Sequence, residues 1–66
     1  MLITINGQTR DEHEAISVAE LLRRLSLEPR RVAVELNRKI VRRAEYEKTQ
    51  LADNDSLEIV TLVGGG

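Results

Sequence analysis

The sequence predicts an α+β fold, in which a mixed β-sheet packs on one main helix. Two observations carry this prediction: a capped amphipathic helix begins at Ser17, and strand-like stretches lie on both sides of it. The chain has 66 residues, of which 41% are apolar and 32% charged, with a formal net charge of −1. Such a chain forms one small domain, predicted over residues 1–63, and residues 64–66 are predicted to be a flexible glycine tail.

The first two predicted strands form a hairpin. Apolar and polar residues alternate over 2–6, and Asn6-Gly7 then provides the positive φ angles that a tight hairpin turn requires. Residues 8–14 return as a second strand. Because this return segment is polar throughout, we expect it to be a solvated edge of the sheet.

The helix is predicted over residues 17–26. Ser17 is a suitable N-cap, Glu20 completes a capping box, and Ile16 forms a hydrophobic staple with Leu21. Apolar residues spaced by three and four positions then form one stripe, which faces a core. Pro29 forbids continuation, so we expect the helix to end near residue 26.

The second half of the chain contains three further strand-like pieces. Alternation predicts a strand over 32–36, a turn at Asn37-Arg38, a short extended piece at 40–41 and a last strand over 57–63. A long polar connection over 42–56 includes a tight turn at 53–55. Since neither the hairpin nor the last strand can bury its apolar face alone, all strands must share one sheet. Placing the first and last strands side by side in parallel gives the β-grasp arrangement. The predicted core consists of Met1, Ile3, Ile5, Val18, Leu21, Leu22, Leu25, Val32, Val34, Leu36, Leu51, Leu57 and Ile59.

Few residues in the chain could carry out catalysis. There is no cysteine, which excludes disulfides and thiolate metal sites, and His13 is the one conventional general base. His13 lies in a polar segment and is assigned no role. The acidic groups lack the spacing of a metal-binding loop, and no phosphate-binding loop is present. We therefore predict no catalytic residue, no metal site and no cofactor bound by this chain.

The composition also bears on the compartment and on the class of partner. No apolar run reaches the roughly 20 residues that span a bilayer, and residues 1–5 lack the basic flank of a signal peptide. We therefore expect a cytoplasmic protein without membrane contact. Residues 21–43 contain eight basic and two acidic side chains, a net +6, which leaves −7 for the remainder. Interleaved aromatic residues are missing, so this polarity favours steering toward an acidic protein partner over nucleic-acid binding.

The end of the chain is its most informative part. If Leu57 and Ile59 face the core, strand periodicity leaves Val60 and Leu62 exposed, which predicts a partner-binding surface. Three glycines, Gly64, Gly65 and Gly66, follow directly. Glycine has no Cβ, so such a tail can enter a narrow cleft and bring its terminal carboxylate to a reactive centre in another protein.

These features resemble the ThiS family, the small sulfur carriers of thiamin biosynthesis, which have a ubiquitin-like β-grasp fold. The resemblance covers essentially the whole chain and is most specific at its end. This sequence departs from the family pattern at Arg38 and Arg42, where the family often has glycine and proline, respectively. The matching positions are 32–37, Ile40, Val41, Arg43, Asp53, Asp55, 57–60, Val63 and 64–66.

The resemblance implies a carrier function for the tail. A partner similar to ubiquitin-activating enzymes would adenylate the Gly66 carboxylate with ATP, with Gly64 and Gly65 serving in tail recognition. A sulfur donor protein would supply the sulfur, and the resulting thiocarboxylate would serve thiazole synthase. ATP is thus used by the partner, and this chain is a carried substrate rather than an enzyme.

Three alternatives remain open from the sequence. A MoaD-type carrier has the same fold and tail chemistry but serves molybdenum cofactor synthesis. A β-grasp interaction module would bind a partner through Val60 and Leu62 without covalent chemistry. A small nucleic-acid binder would use the basic middle segment.

Overall fold

The computed structural model describes residues 1–63, and these form a five-stranded mixed sheet with one α-helix. The sheet order is β2-β1-β5-β3-β4. β1 and β5 run parallel, and the other neighbouring strands are antiparallel. The predicted mixed sheet and its central parallel pair are therefore confirmed. The elements are β1 Leu2–Ile5, β2 Gln8–Asp11, α1 Val18–Arg24, β3 Val32–Leu36, β4 Lys39–Val41 and β5 Ser56–Thr61, with 3₁₀ turns at Pro29–Arg31 and Arg43–Glu45.

Both hairpins turn on pairs of residues with positive φ. Asn6 and Gly7 have φ angles of 51° and 83°, which fit the predicted turn between β1 and β2. Asn37 and Arg38 have φ angles of 51° and 73° between β3 and β4. The second turn therefore holds an arginine in a conformation that glycine adopts more easily.

The start of α1 is stabilised by local and long-range hydrogen bonds. Ser17 Oγ accepts from the Glu20 amide at 3.1 Å, which confirms Ser17 as the N-cap. The Val18 and Ala19 amides donate to the carbonyls of Thr49 and Tyr46, both at 2.9 Å. The long connection after β4 thus satisfies the first helical amides, which have no partner within the helix.

The end of α1 differs from the prediction. The helix stops at Arg24, and Ser26 takes φ 59°. The Leu27 amide donates to the Leu22 carbonyl at 2.9 Å and the Ser26 amide to the Arg23 carbonyl at 3.0 Å. This pattern is a Schellman motif, so a left-handed residue ends the helix before Pro29 is reached.

The core lies between α1 and one face of the sheet, which we call the inner face. Most of the predicted core residues are buried, but Met1, Ile5, Leu25 and Leu36 are only partly buried at its margin. Three residues join the core that the prediction omitted: Ile16, Ala19 and Tyr46. Burial raises the pKa of Tyr46 above its ordinary value. None of the helices in the described residues is long and apolar enough to cross a membrane.

Candidate docking face and tail root

β5 presents two chemically different faces, as its alternation predicts. Leu57 and Ile59 are buried on the inner face. Val60 is 59% exposed and Leu62 is 52% exposed. The strand ends at Thr61 rather than at residue 63, because the last register pair joins it to Val32, where β3 begins. The predicted exposure of both candidate partner-binding residues is therefore confirmed, and their binding role stays a prediction.

The exposed side of the sheet, which we call the outer face, adds a third large apolar side chain. Ile40 on β4 is 78% exposed. Its register partner on β3 is Glu35, and Glu35 in turn pairs with Glu58 on β5. Val60 lies one step further along, opposite Ala33. The outer face thus combines exposed apolar side chains with carboxylates.

The chain is held firmly just before it leaves the sheet. The side chain of Asn6 accepts from the Ile59 amide at 2.8 Å and donates to the Ile59 carbonyl at 3.0 Å. On the other side, the Leu62 amide donates to the Arg31 carbonyl at 2.7 Å. Val63 follows with 93% exposure. Residues 62–63, which we call the tail root, therefore follow a strand that Asn6 holds from the β1–β2 turn, and they begin at Leu62, which the turn before β3 anchors through Arg31.

The predicted carrier residues Gly64, Gly65 and Gly66 lie outside the described residues. Val63 is the last described residue before them. Their tail-recognition and carrier functions stay predictions.

The described residues contain no cluster of three or more histidine, cysteine or acidic side chains that could hold a metal ion. His13 is exposed in the segment after β2. The hydroxyl of Ser17, on the same segment, is engaged as the helix cap.

The burial of Glu12 contradicts the prediction that the segment after β1 is a fully solvated edge. This side chain was expected to be hydrated, but the residue is only 4% exposed. Its Oε2 accepts from Arg10 Nε at 2.9 Å and its Oε1 accepts from Arg24 Nη1 at 2.7 Å. The hydrogen bond from Arg10 acts with the Arg10 charge and with the hydrogen bond and charge of Arg24. Together they outweigh burial and hold the pKa of the Glu12 carboxyl below its usual value. No periodicity in the polar segment signals the burial of Glu12, because its second partner, Arg24, lies on α1.

Within residues 1–63, the basic residues divide into a group with ion pairs and a group without them. Arg10, Arg23 and Arg24 are engaged with carboxylates at distances of 2.6 to 3.9 Å. The exposed basic residues without an ion pair in the described part of the chain are Arg30, Arg31, Arg38, Lys39, Arg42, Arg43 and Lys48. Most of them flank β3 and β4, next to the outer face.

Comparison with known proteins gives three consistent similarities. The chain is 33% identical to the sulfur carrier protein ThiS of Bacillus subtilis, over 98% of this chain and the whole of that protein. It is 41% identical to a thiazole synthase of Paramagnetospirillum magneticum, but it spans only 20% of that protein's length. The crystal structure of the thiamine biosynthesis protein ThiS from Geobacter metallireducens matches with a TM-score of 0.86 and 33% identity, covering both chains completely.

That structural match also confirms the ubiquitin-like β-grasp fold, because it covers every strand and the helix. The model of the ThiS family matches residues 3–66, which include the three terminal glycines. The chain belongs to the ThiS family.

Proposed function

We propose that this chain carries sulfur as a thiocarboxylate on Gly66 and donates it to thiazole formation in thiamin biosynthesis. Its membership of the ThiS family supports the carrier role. The observation that carries the proposal in the structure is the tail root. There the chain is anchored at Leu62 and leaves the sheet beside the exposed Val60.

The chemistry follows from the lack of cysteine. A chain without a thiol can hold transferable sulfur covalently at an activated carboxyl group. A carboxylate oxygen of Gly66 attacks the α-phosphorus of ATP in the partner's site, and pyrophosphate leaves. Sulfur at the oxidation level of sulfide then attacks the acyl carbon, AMP leaves with the bonding electron pair, and a proton is lost to solvent. No redox change occurs at the acyl carbon.

Three partners are part of the proposal. A ubiquitin-activating-type enzyme adenylates the tail, a donor protein provides sulfur, and thiazole synthase receives it. The relatives called thiazole synthase support the last partnership, because a region of each resembles this entire chain. Neither nucleic acid nor a membrane takes part.

The outer face supplies the docking that the tail chemistry requires. Acyl transfer needs the reacting atoms to be held in a narrow range of positions. Val60 and Leu62 offer exposed apolar area directly before the tail, so their burial against the partner would fix the point on the partner at which the tail begins.

The test is the intact mass of the chain after incubation with the adenylating enzyme, ATP and sodium sulfide. We expect a gain equal to the difference between a sulfur and an oxygen atom, mapped to Gly66. Two variants sharpen the result: Gly65→Leu and a chain with one residue added after Gly66. Both should keep the wild-type Tm and remain unmodified. An unmodified wild-type chain beside an active enzyme, or sulfur located elsewhere, contradicts the proposal.

A further inference from the structure

The outer face contains a pair of like charges that the fold does not need. Glu35 on β3 and Glu58 on β5 are register partners in the antiparallel pair, and both are exposed. Directly opposed residues bring their Cβ atoms to within about 5 Å, where two carboxylates repel each other. Val60, on the same strand and the same face as Glu58, is exposed as well.

Neither Glu35 nor Glu58 forms an ion pair within the described residues, although Arg38 lies at the same hollow of the surface. Both line an open hollow of about 370 Å³ that also borders Asn37 and Arg38. The Asn37 side chain is already engaged with Asp55 at 3.0 Å and with the Ser56 amide at 2.9 Å. The hollow therefore offers two exposed carboxylates to solvent, with Arg38 at its border.

The charges along the outer face change sign toward the tail root. Glu35 and Glu58 form one row, which Ile40 extends on β4, and Val60 with Ala33 forms the next, apolar row. Leu62 follows beside Arg31, which is exposed and has no ion pair in the described part of the chain. An acidic row, an apolar row and a basic residue thus succeed one another in the direction of the glycines.

We propose that Glu35 and Glu58 determine docking specificity by receiving a basic side chain of the activating partner, while Val60 and Leu62 pack on its apolar surface. This inference rests on the proposed function. An arginine suits the pair better than a lysine, because its planar fork can donate to two carboxylates at once. The sign change along the face allows one orientation of the partner, the one that directs the tail toward the reactive site.

A functional role also explains why the repulsion is present. Exposed like charges opposed across two strands lower the stability of the free domain. Neutralising one of them should therefore stabilise the fold and weaken docking at the same time. A purely structural residue would not give these opposite effects.

The experiment measures the Kd between this chain and its adenylating enzyme in the absence of ATP, together with the Tm of each variant. Glu58→Gln and Glu35→Gln are compared with Glu45→Gln, a matched control. Glu45 is exposed, has no ion pair in residues 1–63, and precedes Tyr46, whose carbonyl binds the start of α1. The control therefore removes the same charge from the helix side of the domain.

We expect the Kd to rise about tenfold for Glu58→Gln and Glu35→Gln, with a weaker salt dependence, and to stay unchanged for the control. The Tm of Glu58→Gln and of Glu35→Gln should rise by about 2–4 °C. A Kd equal to that of the control overturns the inference, as does a lower Tm that accompanies weaker binding.

If the wild type docks with this charge dependence but never gains sulfur, the proposed function fails and the docking surface stands. If it gains sulfur and the Kd values are equal, only the inference fails. A wild type that does not bind overturns both.

Discussion

Glu12 and Arg24 join the end of β2 to the last turn of α1. Glu12 Oε1 accepts a hydrogen bond from Arg24 Nη1 at 2.7 Å, and Glu12 Oε2 accepts from Arg10 Nε at 2.9 Å. The Glu12 amide also donates to the Met1 carbonyl at 2.8 Å. One buried carboxylate therefore connects the edge hairpin to the helix layer.

Acid should weaken this connection. The folded-state pKa of Glu12 lies below its ordinary value of 4.5, so its stabilising contribution is complete above that pH and is lost as the pH falls through the folded-state pKa. Glu12→Gln should cost about 1.5–3 kcal/mol at pH 7, because two charge-assisted hydrogen bonds are weakened. Urea unfolding from pH 7 to 2 should show the two proteins converging below pH 4.5. A constant difference down to pH 2 contradicts the assignment. Glu14→Gln is the control, since Glu14 is exposed and lies 3.8 Å from Arg24.

Leu22 tests the register of the helix. Its side chain is fully buried, so Leu22→Ala should lower the free energy of unfolding by about 2–5 kcal/mol, enough to unfold a domain of this size. Ile40→Ala removes the same number of apolar carbons from an exposed position and should change the free energy of unfolding by less than about 0.5 kcal/mol. Equilibrium unfolding in urea measures both. Equal effects of the two substitutions would show that the buried face of α1 was assigned incorrectly.

The turn between β3 and β4 can be improved. Arg38 has φ 73°, a conformation that costs a side-chain-bearing residue about 1 kcal/mol or more. Arg38→Gly should therefore raise the Tm by about 4–8 °C. Gly7→Ala is the reciprocal change: no atom lies within 4 Å of the added Cβ, so its expected destabilisation comes from φ 83° alone. A lower Tm for Arg38→Gly would mean that its side chain makes a compensating interaction.

Asn6 should control the order of β5 near the tail root. Asn6→Ala removes both side-chain hydrogen bonds to Ile59, so hydrogen exchange of the amides of Ile59 and Leu62 should accelerate about tenfold or more. Asn54→Ala serves as the control, because Asn54 also has positive φ, 72°, but no side-chain hydrogen bond within residues 1–63. Equal exchange rates in the two variants would exclude an anchoring role for Asn6.

A substitution at Leu62 can distinguish an effect on docking from an effect on folding. It is half exposed and lies beyond the end of β5, so Leu62→Asp should leave the Tm within a few degrees of the wild type. The rate of adenylation, measured as pyrophosphate release, should fall about tenfold because the KM for the carrier rises. Thr61→Asp is the control: it adds the same charge at the neighbouring exposed position, whose side chain lies on the opposite face of β5. A collapse of the Tm in Leu62→Asp would mean that the two faces of β5 were assigned backwards.

The sequence by itself determined the elements whose causes are local. Alternation separated buried Leu57 from exposed Val60, Asn6-Gly7 specified the first hairpin, and Ser17 specified the start of the helix. Each of these signals depends on neighbours within a few residues, which a single sequence displays directly. The glycines at the end of the chain likewise pointed to the family without any knowledge of packing.

Only the tertiary structure decided the contacts between elements distant in sequence. Tyr46 lies in a polar connection, yet it is buried because that connection crosses the start of α1 and caps its amides. Glu12 is buried because Arg24, 12 residues away, comes back to meet it. The opposition of Glu35 and Glu58 exists only once β3 and β5 pair in one register. Local propensity contains no information on such pairings, since burial and charge neutralisation depend on the partner that folding supplies.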